Sequence, residues 1–397
     1  MRIKTFIFGL VAVVTLAGAC ATPATPQEPA ETPTPGQPSP STEEPLPEPI
    51  MTANSVELCL NSRYSEHSLS GTAGNQQIAN ILWAAGKAPV TGAYRDIYVA
   101  TPNGEYAYNP GTHSLGRHSD ERVTGGALII NCDSDLAFDT GITYMLATLS
   151  SVSLWKSSEP AVASCPKQTS LYFGVQEVRG LTSELVAHSS APQGDPEWLP
   201  DPSTDGQNKI EEVLADLKYV TKFSAENLTL QQISQLLWAG YGCTPHVTSN
   251  GRMGLTVPSA MARYYLTGTI YLANENGVYR YQNRNPSTDL TTRDHRIEPI
   301  SSGDARNSLQ AAVSGLPQAP CYIVICIGKD FGQQQNWALL ETGFVAANVL
   351  VQASAIGLGC HFDTALTADQ QSAIRKATGI PSSDIPQVII SIGGVTK

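Results

Sequence analysis

Residues 76–84 read QQIANILWA and residues 231–239 read QQISQLLWA, six of nine positions identical at a separation of 155 residues. In each stretch the apolar side chains recur at helical spacing, Ile78, Ile81 and Leu82 in the first and Ile233, Leu236 and Leu237 in the second. That period predicts two amphipathic helices, each burying one face, with the tryptophan most simply a core residue. A match of this length at a fixed offset also predicts that the chain carries one structural unit twice.

The correspondence continues in order. Residues 96–100 (DIYVA) return as residues 269–273 (TIYLA), and Tyr106-Ala107-Tyr108 returns as Tyr279-Arg280-Tyr281, the offset having grown to 173. The second copy therefore holds about eighteen extra residues after its helix, around residues 242–258. Residues 127–131 (ALIIN) correspond to 322–326 (YIVIC), and a helix follows each, led by Asp139-Thr140-Gly141 in one copy and Glu341-Thr342-Gly343 in the other. Residues 171–175 and 388–392 supply a last strand in each. Only the second copy has room before that strand for a helix over residues 368–378, so the first copy is abbreviated there. Residues 191–208, rich in Pro, Asp and Gly, read as the linker, leaving units at 53–190 and 209–397. About 345 residues exceed the usual size of one core and accord with two such units.

Upstream, Arg2 and Lys4, an apolar run over residues 6–16 and the small residues Ala17-Gly18-Ala19 form an export signal over residues 1–20. Cys20 directly behind it predicts lipidation at that thiol, with an A-x-A site for a freely secreted protein as the alternative, because Leu16 stands four places before the cysteine. Residues 21–52, dominated early by Pro, Thr and Glu, read as a disordered tether; a polyproline-like chain extends ~3.1 Å per residue. The expected location is the extracytoplasmic face of a membrane, held through the lipid alone.

A formal net charge of −11, a pI near 5.1 and the lack of a basic run argue against nucleic acid and against electrostatic adhesion to anionic lipid. Seven cysteines remain beyond Cys20, none at the spacing of a metal site. Cys321 and Cys326 share an apolar strand at an odd separation, so they are expected on opposite faces as core residues. No Ser/His/Asp order, carboxylate pair or phosphate-binding loop supports a hydrolase or a nucleoside triphosphatase.

Taken together, Arg63-Tyr64-Ser65, Leu82-Trp83-Ala84-Ala85, Ile97-Tyr98-Val99, Tyr106-Ala107-Tyr108 and His113-Ser114-Leu115 in the first copy carry a family resemblance. Leu237-Trp238-Ala239, Pro258-Ser259-Ala260, Ile270-Tyr271-Leu272, Tyr279-Arg280-Tyr281, Asn348 and Gly357-Leu358-Gly359 carry it in the second. In this order the unit resembles the nitroreductase superfamily, in particular its SagB/ThcOx-type dehydrogenase branch. The resemblance implies an α/β (α+β) three-layer fold, two tandem copies forming a pseudo-dimer within one chain, so that a monomer would suffice. It further implies FMN bound between copies, with a basic-x-Ser segment from one and a Pro-Ser segment from the other.

Two pockets are then conceivable. One combines Arg63, Ser65 and His67 with Pro258, Ser259 and Ala260 and is the favoured expectation. The other combines Gly359, Cys360, His361 and Lys397 with Pro89 and Thr91, Lys218 and Lys222 replacing the Arg and Ser. Each of these side chains also has a plain structural reading, as a solvated arginine, a helix-terminal serine or a structural histidine. The implied activity is hydride or electron transfer through the flavin to a small molecule or peptide, with no catalytic side chain assigned. The rival is a flavin-free, surface-displayed binding or scaffold protein, suggested by Val220, Val90 and the shortened first copy.

Overall fold

The computed structural model describes residues 43–69, 71–155, 161–187, 198–284, 293–329 and 334–396. The expected export signal, Cys20 and most of the expected tether lie outside these residues, as do Lys397 and residues 191–197 of the expected linker.

The first copy contributes β1 (Glu44–Pro45), α1 (Val56–Ser62), α2 (Asn75–Gly86), β2 (Arg95–Thr101), β3 (Gly104–Asn109), β4 (Ser114–Ser119), β5 (Leu128–Ser134), α3 (Ala137–Ser153), β6 (Ala161–Pro166) and β7 (Ser170–Gln176). The second contributes α4 (Ile210–Ala215), α5 (Leu230–Tyr241), β8 (Cys243–Val247), β9 (Met253–Leu255), β10 (Ile270–Ala273), β11 (Gly277–Gln282), β12 (Arg296–Ser302), α6 (Arg306–Ala312), β13 (Cys321–Gly328), α7 (Gln335–Ala355), β14 (Leu358–Asp363), α8 (Ala368–Thr378) and β15 (Asp384–Gly394). The repeated QQI-LWA stretches lie in α2 and α5. In α5 the Thr229 hydroxyl and the Gln232 amide cap each other's backbone at the first turn.

Apart from the edge strand β1, the first sheet runs β4-β3-β2-β5-β7-β6, and the second runs β12-β11-β10-β13-β15-β14. Element for element, that is the same antiparallel order. The offset-derived pairing of residues 127–131 with 322–326 and of the two last strands is reproduced in space. The helix expected over residues 368–378 is α8, started by a Thr367/Gln370 capping box and ended by Gly379 in the left-handed region at φ 77°. The first copy has no counterpart to it, since β6 leads straight into β7.

Sheet composition reports what covers each face. Along β13, Cys321, Ile323, Ile325 and Ile327 enter the main core, while Tyr322, Val324 and Cys326 enter a second cluster with Leu309 of α6 and Ile374 of α8. The two cysteines thus face opposite ways, as their odd separation requires. Burial on both faces is why this strand is apolar without alternation. Its counterpart β5 buries Leu128 and Ile130 but turns Asp133 outward. All seven described cysteines are free thiols.

Residues 42–397 form one compact unit, and one core draws on both copies. Its centre is the crossing of α3 and α7. A Cβ on Gly141 would lie 2.3 Å from the Leu340 carbonyl oxygen, and one on Gly343 would lie 2.2 Å from that of Phe138, so only glycine lets the two backbones touch. The contacts around the crossing are reciprocal: Gln352 of α7 donates to Glu57 of α1 at 2.7 Å, and Ser153 of α3 donates to Glu211 of α4 at 2.6 Å. Helix α7 is long and apolar enough to cross a bilayer, yet 89% of its most apolar stretch is buried, which marks a core helix.

Residues 43–52, expected as the end of a free tether, are docked instead. Glu44 and Pro45 pair with Leu115 and Ser114, the Glu43 carboxylate accepts from Ser114 at 2.6 Å, and Asn80 bonds both the amide and the carbonyl of Ile50. Proline and glutamate content concealed this, because the docking uses backbone groups and one carboxylate, and needs little apolar burial.

Candidate functional site

Helix α1 ends at Ser62, and Arg63 turns out of it in extended conformation (φ −60°, ψ 129°). Its side chain crosses to the other copy, donating Nε to the Thr256 carbonyl at 2.9 Å and Nη2 to those of Leu255 and Val257 at 2.7 and 3.0 Å. Three consecutive carbonyls suit the rigid fork of a guanidinium and would not suit an ammonium. The group is 1% exposed, and burial pulls its pKa down to about 10. Among the described residues its Nη1 has no partner. A buried cation answered only by carbonyl dipoles, with one donor unused, is a site for an anion or for an electron-rich ring edge.

That side chain borders a cavity of about 680 Å³ whose wall also includes Ser65, His67, Pro258, Ser259 and Ala260. The favoured composite of the two copies is therefore assembled. The cavity size lies within the range of small-molecule and cofactor sites. Sequence reasoning missed further wall residues. Lys167 and Arg179 flank β7 and add positive charge, Arg179 lying over the Tyr64 ring at 5.4 Å. Trp337, Phe344 and Glu341 come from α7. Arg179 had a visible signal, since it stands three residues beyond the last strand of its copy. His67 lies at the rim with Nδ1 3.3 Å from the Cys165 sulfur.

The extra residues of the second copy form the β8–β9 hairpin, which supplies His246, Val247, Thr248, Ser249 and Asn250 to the wall. Burial and the charges of Arg63 and Arg179 hold the His246 pKa down to about 3, so the ring is neutral. The hairpin also braces the turn after Ser259, where Met261, Ala262 and Tyr264 have φ of 51°, 50° and 54°. Non-glycine residues in that region cost about 1–3 kcal/mol each unless their surroundings hold them. Asn250 donates to the Met261 carbonyl at 2.8 Å, Arg252 to that of Ala262 at 2.8 Å, and the Tyr264 amide to Ser259 Oγ at 2.8 Å.

Glu341 is 1% exposed on the α7 side of the cavity. It accepts from the Tyr241 hydroxyl and, at 3.4 Å, from the Leu266 amide. Burial outweighs these donors and raises its pKa from 4.5 to about 7. A carboxyl whose pKa rises on folding contributes stability that is complete below its unfolded pKa and is lost as pH climbs through the folded one. Between about pH 5 and pH 8 the chain should lose on the order of 2–3 kcal/mol through this group. Denaturant midpoints at the two pH values measure it, and Glu341→Gln should flatten the difference.

Gly359, Cys360 and His361 do not join this cavity. They lie on β14, whose outer edge is taken by residues 218–220: Cys360 donates to the Lys218 carbonyl at 2.9 Å and accepts from the Val220 amide at 2.8 Å. Cys360 is fully buried, a Cβ on Gly359 would meet Val220 at 2.6 Å, and the His361 ring stacks on Tyr219 with centroids 5.2 Å apart. Opposite, Thr91 and Gly92 are clamped onto the Asp139 carboxylate. Of the residues expected in the second pocket, Gly359, Cys360 and His361 are thus engaged in backbone pairing and packing with residues 218–220.

Comparison with known proteins accords with this geometry. The pattern of the Nitroreductase family matches residues 220–394. A protein of Methanocaldococcus jannaschii that carries the nitroreductase name is 30% identical over 200 residues, spanning 47% of this chain and 90% of that protein. A crystal structure from Anabaena variabilis under the same heading superposes with a TM-score of 0.57 at 13% identity, over 91% of this chain and 94% of that one, which speaks to the fold. With nine-tenths of a relative covered at that identity, the chain belongs to the nitroreductase family of oxidoreductases.

Proposed function

We propose that the chain is an exported, lipid-tethered FMN-dependent oxidoreductase that uses one flavin per chain and passes electrons to a small molecule or peptide. The observation that carries this reading is the composite cavity, in which Arg63 reaches across from the first copy to the segment leading into Pro258-Ser259-Ala260 of the second. The residues present fit such a cofactor: a buried cation with an unused donor, the Ser65 hydroxyl, and the cations of Lys167 and Arg179 for an anionic tail. Bound flavin supplies the hydride chemistry that amino-acid side chains lack. Arg63 would set the electrostatics at one end, and Trp337 and Phe344 would exclude water from an apolar wall. The uneven copies favour a single site, because Val220 stands in the second copy where the first has the Ser65 hydroxyl.

The full-length chain should purify yellow or take up added FMN to a single equivalent, with the absorbance of bound flavin as the readout. A colourless protein that leaves FMN free in equilibrium dialysis would overturn the proposal. Cys20→Ser, fractionated beside the wild type, tests the tether: the wild type should follow the membrane and the variant should not.

A further inference from the structure

The repeat reaches further toward the N-terminus than its apolar helices show. Residues 45–50 read PLPEPI and residues 198–203 read WLPDPS, so Leu-Pro-acid-Pro recurs 153 residues apart. Each stretch lies on its own copy in the same way. The Leu46 amide donates to the His113 carbonyl at 2.9 Å, and the Leu199 amide to that of His295 at 3.0 Å. Gln76 donates to the Glu48 carbonyl at 2.8 Å, and Gln231 to that of Asp201 at 3.0 Å. The Asn80 side chain grips both backbone groups of Ile50 at 3.2 and 2.9 Å, and the Gln235 side chain grips those of Ser203 at 2.8 and 3.0 Å. The expected end of the tether and the expected linker are one element, a strap laid along β4 in the first copy and at the start of β12 in the second.

A histidine closes each clasp. Tyr108 Oη lies 2.8 Å from His113 Nδ1, and Tyr281 Oη lies 2.9 Å from His295 Nδ1. His113 Nε2 meets the Pro47 carbonyl at 3.0 Å. A carbonyl only accepts, so Nε2 carries a proton there. In the second copy Ser234, where the first has Ala79, stands between His295 Nε2 and the Pro200 carbonyl.

The polar contacts match, but the burial does not. Leu46 and Pro49 are half-buried where Leu199 and Pro202 are buried, and Pro47 is exposed where Pro200 is half-buried. With less apolar surface removed from water, the same hydrogen bonds hold the first strap more weakly. Opening of that strap also meets a stop. Thr52 donates its amide and its hydroxyl to the buried Glu211 carboxylate at 3.2 and 2.9 Å. Behind it the Ile210 amide donates to the Asn54 carbonyl and the Val56 amide to that of Asn208, a reciprocal belt between the copies. Met51, 56% exposed, stands between clasp and belt.

We infer that residues 43–50 are a releasable strap hinged at Met51, which opens as a unit while the belt from Thr52 onward and the second strap stay closed. Release adds eight residues to the tether, ~25 Å at ~3.1 Å per residue. It leaves α1 and Arg63 in place, because the belt lies between. The gain in reach rests on the membrane tether of the proposed function, and the opening itself does not.

Hydrogen exchange of the full-length chain reads the opening. The Leu46 and Ile50 amides should share one protection factor, about 100-fold below that of the Leu199 and Ser203 amides, and the Thr52 amide should follow the slow pair. The Glu43 carboxylate accepts from Ser114 at 2.6 Å and Thr112 at 3.1 Å at the outer end of the strap. Glu43→Ala should therefore speed exchange at Leu46 and Ile50 together, roughly tenfold, and leave Leu199 and Ser203 unchanged. Leu46 and Ile50 as protected as Leu199 and Ser203, or as unprotected as in an unfolded chain, would overturn the inference. So would Thr52 opening with Ile50, or a Glu43→Ala chain in which Leu46 alone quickens, which is fraying. Exchange needs neither lipid nor flavin, so a chain found off the membrane would sink the tether and leave the strap standing.

Discussion

Arg63→Ala is expected to destabilise the chain by about 3–5 kcal/mol and to abolish FMN uptake even under conditions where the variant is fully folded. The side chain fastens α1 of one copy to three consecutive carbonyls of the other. Without it those oxygens lose a charged donor, and Thr256 keeps a side-chain partner in Asn348 at 3.2 Å. Arg63→Lys separates the two roles. An ammonium retains the positive charge but cannot fork over three carbonyls, so part of the flavin affinity should return while most of the stability does not. Urea midpoints and fluorescence titration with FMN measure the two effects, and an Arg63→Ala chain that melts and binds as wild type would remove Arg63 from the centre of the site.

Gly343→Ala should be comparably damaging, for a different reason. The added Cβ would sit 2.2 Å from the Phe138 carbonyl oxygen and 2.8 Å from Gly141 Cα, so it meets backbone and not a side chain that could rotate away. Helices α3 and α7 would have to separate, which should cost about 3 kcal/mol or more. The cavity should suffer with the fold, because Glu341 and Phe344 flank this glycine on α7 and reach the wall from there. Gly125→Ala, a substitution with nothing within 4 Å of the new atom but a φ of 107°, is the control. It should lose about 1 kcal/mol of backbone strain energy and leave FMN affinity untouched.

Legibility in the sequence followed the range of the interaction. The repeated helices, the matched strands, the insertion in the second copy and the absent α8 of the first could be read by comparing the chain with itself, since duplicated local patterns survive as matched residue types at a drifting offset. The opposite-facing cysteines of β13 followed from the period of a strand. For the site, Arg63, Ser65, His67, Pro258, Ser259 and Ala260 were legible because they sit in short motifs, while Lys167, Trp337 and Glu341 were not, because they reach the cavity from elements that no short motif ties to it.

What the sequence alone determined is therefore the unit, its duplication and the sides on which the copies had diverged, all of which are written in periodicity and in local identity. Which residues meet across the copies was decided by tertiary structure. Residues 218–220 pair with the edge of β14, whereas Arg63 spans the copies and borders a cavity. The docking of residues 43–52 and the burial that lifts Glu341 belong to the same category. Pairing across hundreds of residues and exclusion of water depend on how elements are stacked, and no spacing along one chain records that.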